Sequence, residues 1–187
     1  MPRPGIIPSH RQGIVQHAWD SSSKCLEPAA LAALACALPR PLVFTNGVFD
    51  LIHVGHVACL ERARRHGACL VVALNADASA RGLGKPGPRP VLPLAQRARL
   101  VAALGCVRWV SWFEEPTAAL LIEVLRPEVY VKGGDYRAEA LPETRQIARW
   151  GGRTLIEPYL DGHSTTALLA RLQHRPGEQG GRQREAP

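Results

Sequence analysis

The chain has 187 residues, enough for one domain of ordinary size with a sizeable hydrophobic core. Its formal net charge of +7 comes from 23 basic and 16 acidic residues, and residues 1–24 and 171–187 each contribute +2 of it. The remaining +3 is too weak for a nucleic-acid track, so we expect a small anionic substrate and no nucleic-acid partner.

The first forty residues are predicted to lie outside the main domain. Residues 1–20 are rich in Pro, Gly, His and Arg and lack hydrophobic periodicity, which is typical of a flexible arm. The serine run at 21–23 can cap a helix that continues to about Leu38 and ends at Pro39. The sequence therefore predicts an N-terminal arm followed by an N-terminal helix over residues 21–40.

From residue 42 onward, apolar runs alternate with segments of helical periodicity. Strands are predicted over residues 42–46, 69–75, 107–112, 129–132 and 154–156. Helices are predicted over residues 54–66, 76–81, 94–104, 116–125, 141–150 and 164–172. This alternation predicts a doubly wound, Rossmann-like α/β domain over residues 41–173, with a parallel five-stranded sheet. The composition of residues 174–187 predicts a disordered tail.

A glycine turn joins the first predicted strand to the helix that follows it. His53 and His56 lie three residues apart at the start of that helix, with Gly55 between them. The first N–H groups of a helix have no internal partner and its dipole favours negative charge, so this position suits an anion. Residues at i and i+3 share a helical face, so both imidazoles can donate to one polyphosphate. The turn therefore indicates nucleotide chemistry.

Two other interpretations of the histidine pair are open at this stage. Two histidines at this spacing also occur as helix-capping or surface residues. A zinc site would recruit Cys59, three residues past His56, but no fourth ligand is placed nearby and the glutamate of a His-Glu-x-x-His motif is absent. We therefore expect no protein-bound metal.

Polar residues also follow other predicted strands. Asn75 and Asp77 follow the second strand, residues 132–136 follow the fourth, and the hydroxyl residues 164–166 begin the last helix. The carboxyl ends of parallel strands meet at one crevice, so these residues are predicted to converge there.

The long Gly- and Pro-rich loop over residues 82–90 is a candidate lid. It contains Lys85 and Arg89 and is long enough to fold over a bound anion. These two residues and Arg97 are equally compatible with a solvated charged surface.

Cysteine usage and hydropathy predict a cytoplasmic protein without a membrane partner. The five cysteines are scattered, odd in number and without a Cys-x-x-Cys pair, which argues against a zinc knuckle or a disulfide framework. No secretory signal is present, and the apolar run at 31–38 is far too short to span a membrane.

Five blocks of residues occur in order between residues 42 and 172. They are Thr45-Asn46-Gly47-Val48-Phe49-Asp50 with His53-Val54-Gly55-His56, then Asn75-Ala76-Asp77-Ala78-Ser79, then Arg89-Pro90-Val91 with Pro93-Leu94 and Arg97, then Val131-Lys132-Gly133-Gly134-Asp135-Tyr136, and last Asp161-Gly162 with Ser164-Thr165-Thr166. This series resembles the D-glycero-D-manno-heptose 1-phosphate adenylyltransferases, a branch of the cytidylyltransferase-like nucleotidylyltransferases with the HxGH motif. The chain departs from their usual pattern at Leu92, Glu115 and His163.

The resemblance implies transfer of AMP from ATP to heptose 1-phosphate, giving ADP-heptose and pyrophosphate for the lipopolysaccharide core. It implies that Mg²⁺ arrives with ATP. The kinase half of the bifunctional relatives is missing from this sequence, so we expect a stand-alone form that depends on a separate heptose kinase. A homodimer is compatible with the resemblance.

The resemblance also implies roles for individual residues. The implied catalytic residues are His53, His56, Lys85 and Arg97. The implied nucleotide-binding residues are Thr45, Asn46, Gly47, Val48, Phe49, Asp50, Gly55, Lys132, Gly133, Gly134, Asp135, Tyr136, Ser164, Thr165 and Thr166, among which Asp50 is expected to orient backbone groups rather than touch phosphate. The implied acceptor-binding residues are Asn75, Asp77 and Arg89.

Three rival functions share part of this pattern. A cytidylyltransferase acting on glycerol phosphate or a similar small phosphate would differ in its base and acceptor. A class I aminoacyl-tRNA synthetase fragment would need a longer chain, a Lys-Met-Ser-Lys-Ser-like loop and a broad basic face. A non-catalytic nucleotide-binding module is disfavoured by the presence of His53, His56 and Lys132.

Overall fold

The computed structural model describes residues 20–84, 87–158, 160, 162–163 and 165–173. The predicted arm, apart from its last residue, and the predicted tail over 174–187 lie outside these residues. The predicted site residues Lys85 and Ser164 lie outside them as well.

Five strands form one sheet in which all neighbours are parallel, as the apolar runs predicted. They are β1 (Leu42–Gly47), β2 (Cys69–Asn75), β3 (Trp109–Phe113), β4 (Val129–Gly133) and β5 (Arg153–Glu157). Their order across the sheet is β3-β2-β1-β4-β5. The direction of winding reverses between β1 and β4, and the carboxyl ends of those strands therefore flank the crevice in which such sheets bind ligands.

Seven α-helices accompany the strands within the described residues. They are α1 (Pro28–Ala33), α2 (Val54–Arg64), α3 (Asp77–Gly82), α4 (Leu94–Ala102), α5 (Ala119–Leu125), α6 (Pro142–Ala148) and α7 (Thr165–Gln173). Six of them correspond to predicted helices, with ends that differ by a few residues.

The sheet is buried on both faces, which explains its continuous apolar strands. On one face, α1, α5 and α6 contribute to a core that includes Phe44 and Tyr130. On the other, α2 and α4 contribute to a core that includes Val43 and Val72. Side chains alternate along each strand, so both cores draw on the same strands.

The N-terminal helix predicted over 21–40 is wrong as a single element. The segment instead forms a 3-10 turn at Ser21–Lys24, then α1, then a second 3-10 turn at Ala35–Ala37. Pro28 begins α1 because a proline lacks an N–H and disfavours helical backbone in the residue before it. The backbone N–H of Leu26 donates to the carbonyl of Val110 at 2.8 Å, so this stretch also covers the outer edge of β3.

No helix within the described ranges is long and apolar enough to cross a membrane. All five cysteines lie in the described part of the chain, and all are free thiols. Burial raises the pKa of the Cys59 and Cys69 thiols, which keeps them protonated at neutral pH.

Candidate active site

The turn from β1 into α2 places the two predicted histidines side by side. His53 caps the N-terminus of α2, and His56 lies in its first turn. Their rings stack with centroids 3.9 Å apart, and the Phe49 ring is tilted against His56 with centroids 5.4 Å apart. Two imidazoles therefore meet at the positive end of an 11-residue helix, where N–H groups and the helix dipole attract anions.

Two glycines make room for these rings. A Cβ atom on Gly47 would lie 3.1 Å from Cε2 of Phe49, whose own backbone has a left-handed φ of 47°. A Cβ atom on Gly55 would lie 3.0 Å from Nδ1 and Cε1 of His53 and 3.3 Å from Cβ of His163. Each of these contacts is tighter than most Cβ contacts in proteins, so a side chain at either position would have to displace the neighbouring ring by a few tenths of an ångström.

A hydrogen bond orients the His56 ring, and burial favours the neutral form of His53. The backbone N–H of His53 donates to Nδ1 of His56 at 3.4 Å, so a neutral His56 ring has its proton on Nε2. Burial lowers the pKa of His53, and electrostatic interaction with the nearby His163 ring lowers it further. His53 is therefore neutral at physiological pH while no anion is bound.

Lys132 and Asn46 meet across the crevice between β4 and β1. The Lys132 ammonium donates to Oδ1 of Asn46 at 3.3 Å, and the hydroxyl of Tyr130 donates to the same oxygen at 2.6 Å. Burial strongly raises the pKa of Tyr130, so its hydroxyl stays a donor. Tyr130 was missed by the sequence analysis, because an aromatic residue inside a buried strand gives no signal other than packing.

The segment after β4 turns at Gly134 and opens to solvent. The Gly134 backbone has a φ of 133°, and its N–H donates to the carbonyl of Glu157 at 2.9 Å. The side chains of Asp135 and Tyr136 are exposed. A Cβ atom on Gly133 would lie 2.9 Å from Sγ of Cys59, so glycine allows α2 and β4 to approach closely here.

Asp50 holds the end of the candidate lid loop. Its carboxylate is 4% exposed and accepts the backbone N–H of Val91 at 2.8 Å and that of Leu92 at 3.0 Å. This geometry agrees with the expectation that Asp50 orients backbone groups. These hydrogen bonds fix residues 91–92 next to the β1–α2 turn.

Arg97, one of the implied catalytic residues, is buried, so its interpretation as a solvated surface charge is wrong. It is 0% exposed, and its guanidinium donates to three carbonyls and one carboxylate. The acceptors are the carbonyls of Val48 (2.6 Å), Leu92 (3.0 Å) and Asn75 (3.0 Å) and Oδ1 of Asp77 (2.6 Å). Arg97 therefore ties the ends of β1 and β2 to the candidate lid loop, and its donors are used inside the protein.

Asn75 and Asp77, the predicted acceptor-binding residues, also have internal partners. The Asn75 amide donates to the hydroxyl of Ser79 at 2.9 Å, and that hydroxyl donates to the carbonyl of Glu115 at 2.7 Å. Asp77 is half-buried and pairs with Arg97. These residues shape the floor of the site at the end of β2.

Arg89 brings the candidate lid loop to the N-terminus of α7. One of its terminal nitrogens lies 3.3 Å from the hydroxyl of Thr166. Thr165, beside it, is half-buried. The structure therefore brings the candidate lid loop into contact with the start of α7.

A charged cluster fastens the loop after β5 to α2. The Arg62 Nε atom donates to Glu157 at 2.7 Å, and another Arg62 nitrogen donates to the carbonyl of Pro158 at 2.7 Å. His66 contacts the second oxygen of Glu157 at 3.0 Å. Hydrogen bonds from His66 and Arg62 hold the pKa of Glu157 below its usual value despite its burial. This cluster was also missed, because its members are 91 to 96 residues apart.

Comparison with known proteins gives one matching family model and close relatives. Residues 44–166 match the family described as cytidylyltransferase-like. The chain is 52% identical over 153 residues to a D-beta-D-heptose 1-phosphate adenylyltransferase of Bordetella bronchiseptica, covering 81% of this chain and 94% of the relative. It is 53% identical over 145 residues to the bifunctional protein HldE of Streptomyces coelicolor, of which it spans 31%.

Solved structures with the same fold extend the comparison. The lipopolysaccharide core biosynthesis protein of Thermoplasma volcanium superposes with a TM-score of 0.53 at 25% identity, over 64% of this chain and 95% of that one. A pantothenate synthetase of Thermus thermophilus superposes with a TM-score of 0.52 at 19% identity, over 73% of this chain and 62% of that one. The second likeness concerns the fold alone.

Proposed function

The chain belongs to the cytidylyltransferase-like family, in the branch of the heptose 1-phosphate adenylyltransferases, and we propose that it makes ADP-heptose from ATP and D-glycero-D-manno-heptose 1-phosphate. The observation that carries the proposal is the 52% identity to a heptose 1-phosphate adenylyltransferase over nearly the whole of that relative. The paired imidazoles of His53 and His56 at the N-terminus of α2 are the proposed binding site for the triphosphate of ATP.

The reaction requires no nucleophile from the protein. An oxygen of the sugar phosphate forms a bond to the α-phosphorus of ATP, the bond from that phosphorus to the bridging oxygen breaks, and pyrophosphate leaves with the electron pair. The protein must hold two polyanions in line and stabilise the charge that builds on the bridging and leaving oxygens.

His53 and His56 are the proposed donors to the triphosphate. Each neutral ring has one N–H to donate, and the first N–H groups of α2 lie behind them. Transfer of charge to the leaving pyrophosphate strengthens these hydrogen bonds, and stronger binding in the transition state is what raises the turnover rate.

The proposed nucleotide-binding residues include those that follow β4 and those that begin α7. Lys132 offers an ammonium beside Asn46. Residues 133–136 and 164–166 are the proposed contacts to the base and ribose. On the acceptor side, Lys85 and Arg89 from the candidate lid loop bind the sugar phosphate. Arg97 acts as a positioning residue, because its guanidinium already joins the segments that form the floor.

The residues of the site fit Mg²⁺ that arrives on ATP. Among the described residues no group of three or more His, Cys, Asp or Glu side chains is arranged to hold a metal ion. Asp50 and Asp77 already accept N–H groups, so phosphate oxygens and water are the proposed ligands. When bound, Mg²⁺ would neutralise part of the charge of the triphosphate. His53 and His56 are proposed to orient that triphosphate.

The direct test is pyrophosphate release from a matrix of substrates. Purified protein is incubated with ATP or CTP and with heptose 1-phosphate, mannose 1-phosphate or glycerol 3-phosphate. We expect release with ATP and heptose 1-phosphate and formation of ADP-heptose by mass spectrometry. Release with CTP and glycerol phosphate alone would instead identify a cytidylyltransferase, and no release with any pair would indicate a non-catalytic module.

The proposed function also implies a source for the sugar phosphate and raises the question of the oligomeric state. Heptose 1-phosphate must come from a kinase that phosphorylates the sugar, and we propose that this kinase is a separate cytoplasmic protein. The matched bifunctional relatives are about three times as long as the region shared with this chain, which covers 31% of the Streptomyces protein. Light scattering of the purified protein tests whether it forms a homodimer.

A further inference from the structure

The loop after β5 returns to the start of α2 and places His163 against the proposed triphosphate site. The Cβ of His163 lies 3.3 Å from where a Cβ on Gly55 would be, and the His53 ring lies 3.0 Å from that same point. His163 and His53 therefore flank Gly55 at the N-terminus of α2.

The position of His163 is built by the fold. Arg62 fixes Glu157 and Pro158, which directly precede the loop, to the body of α2. At the other end, the backbone N–H of His163 donates to the carbonyl of Leu160 at 3.2 Å, and Gly162 has a left-handed φ of 76°. The loop is thus held at its start and closed by a turn directly before His163.

The electrostatic interaction between His163 and His53 also favours an anion beside the two rings. His163 lies close enough to His53 to lower the pKa of that ring, so in the absence of a ligand a positive charge on one imidazole disfavours a positive charge on the other. The negative charge of a polyphosphate beside both rings offsets that unfavourable interaction. The side chain of His163 is exposed, which allows a ligand to reach it.

We propose that His163 is a third imidazole that contacts the triphosphate, together with His53 and His56. This inference deepens the proposed function and rests on it for the identity of the nucleotide. It assigns a binding role to a residue outside the five sequence blocks. His163 donates to a phosphate oxygen beside Gly55, at the N-terminus of α2.

Inorganic tripolyphosphate is the probe, because it tests the phosphate contact without the base or the acceptor. We expect His163→Ala to weaken its binding about tenfold by calorimetry, the usual effect of losing one hydrogen bond to a charged group. His163→Arg, which keeps a cationic donor, should bind within about twofold of the unchanged protein or more tightly. The matched control is Arg65→Ala, an exposed cation at the far end of α2, and it should have no effect.

Circular dichroism and thermal melting of each variant verify that the fold is retained. Unchanged binding by His163→Ala would overturn the inference, as would equal weakening by His163→Ala and His163→Arg, or by His163→Ala and Arg65→Ala. Because the titration contains no sugar phosphate, failure of the heptose reaction leaves its result intact. Normal ADP-heptose synthesis with unaltered tripolyphosphate binding in His163→Ala would refute only the role of His163.

Discussion

Replacing Arg97 with methionine tests whether this buried side chain organises the proposed site. The substitution fills a similar volume but removes the donors to three carbonyls and to Asp77. A buried acceptor left without a donor costs about 1–3 kcal/mol, and loss of one partner of a buried ion pair costs about 3–5 kcal/mol. Asp77 is 34% exposed and can regain water, which offsets part of the loss.

We therefore expect Arg97→Met to lower the free energy of unfolding by about 3–5 kcal/mol. For a domain of this size, that corresponds to a fall in Tm of roughly 6–20 °C. Urea titration and calorimetry measure both quantities. Turnover should fall at least about tenfold at a temperature where the variant is still folded. The reason is that Arg97 no longer joins the ends of β1 and β2 to residue 92, so the site loses its fixed geometry.

Arg99→Met is the matched control, since Arg99 lies two residues along the same helix. Its side chain is 65% exposed and its ion pair with Asp20 lies in solvent, so its unfolding free energy should be nearly unchanged. If Arg97→Met proved as stable and as active as Arg99→Met, the assignment of Arg97 as an internal positioning residue would be refuted.

Three further predictions concern the histidines. His56→Ala should leave the Tm within a few degrees and reduce kcat about 100- to 1,000-fold in the pyrophosphate assay, since it removes a donor to developing charge; unchanged turnover would exclude that role. Gly55→Ala should raise the KM for ATP and lower kcat, because the added methyl group displaces the His53 ring, whereas Gly82→Ala, with open space around it, serves as the control. Because the pKa of His53 is lowered in the folded state, its contribution to stability is present above its ordinary pKa of 6.5 and is lost as the pH falls through 6.5 toward the lowered value. As the pH is lowered from 7.5 to 5, the free energy of unfolding should therefore fall more steeply for the unchanged protein than for His53→Asn. Parallel plots of this free energy against pH would contradict a lowered pKa for His53.

The sheet could be predicted from the sequence because each of its strands is a local apolar run. The run at β2 is buried at every position, so no alternation was needed to recognise it. The β1–α2 turn could be predicted equally well, since its glycines and histidines are neighbours in sequence. The single N-terminal helix was wrong because Pro28 interrupts it and because Leu26 bonds to β3, a contact that no local pattern contains.

The burial of Arg97 had a signal in the sequence that the surface-charge interpretation overlooked. Arg97 shares the buried face of α4 with Ala98 and Val101, whereas Arg99 lies on the exposed face. An arginine on the apolar face of an amphipathic helix needs internal acceptors. The identity of those acceptors could not be predicted, because they are carbonyls at the ends of two strands and of a loop.

The Arg97 guanidinium donates to acceptors inside the protein, so in the proposed site it does not act as a fixed cation on the triphosphate. A fixed cation in contact with the triphosphate would bind ATP and the departing pyrophosphate about equally, and uniform binding of this kind does not raise kcat. His53, with its lowered pKa, is a neutral donor in the empty site, so it attracts the substrate weakly and responds most strongly when charge develops. We therefore expect a substitution that makes this position permanently cationic, His53→Arg, to tighten the binding of pyrophosphate while lowering kcat. Product-inhibition kinetics test this: a lower inhibition constant for pyrophosphate with reduced turnover supports the argument, and a variant with higher turnover contradicts it.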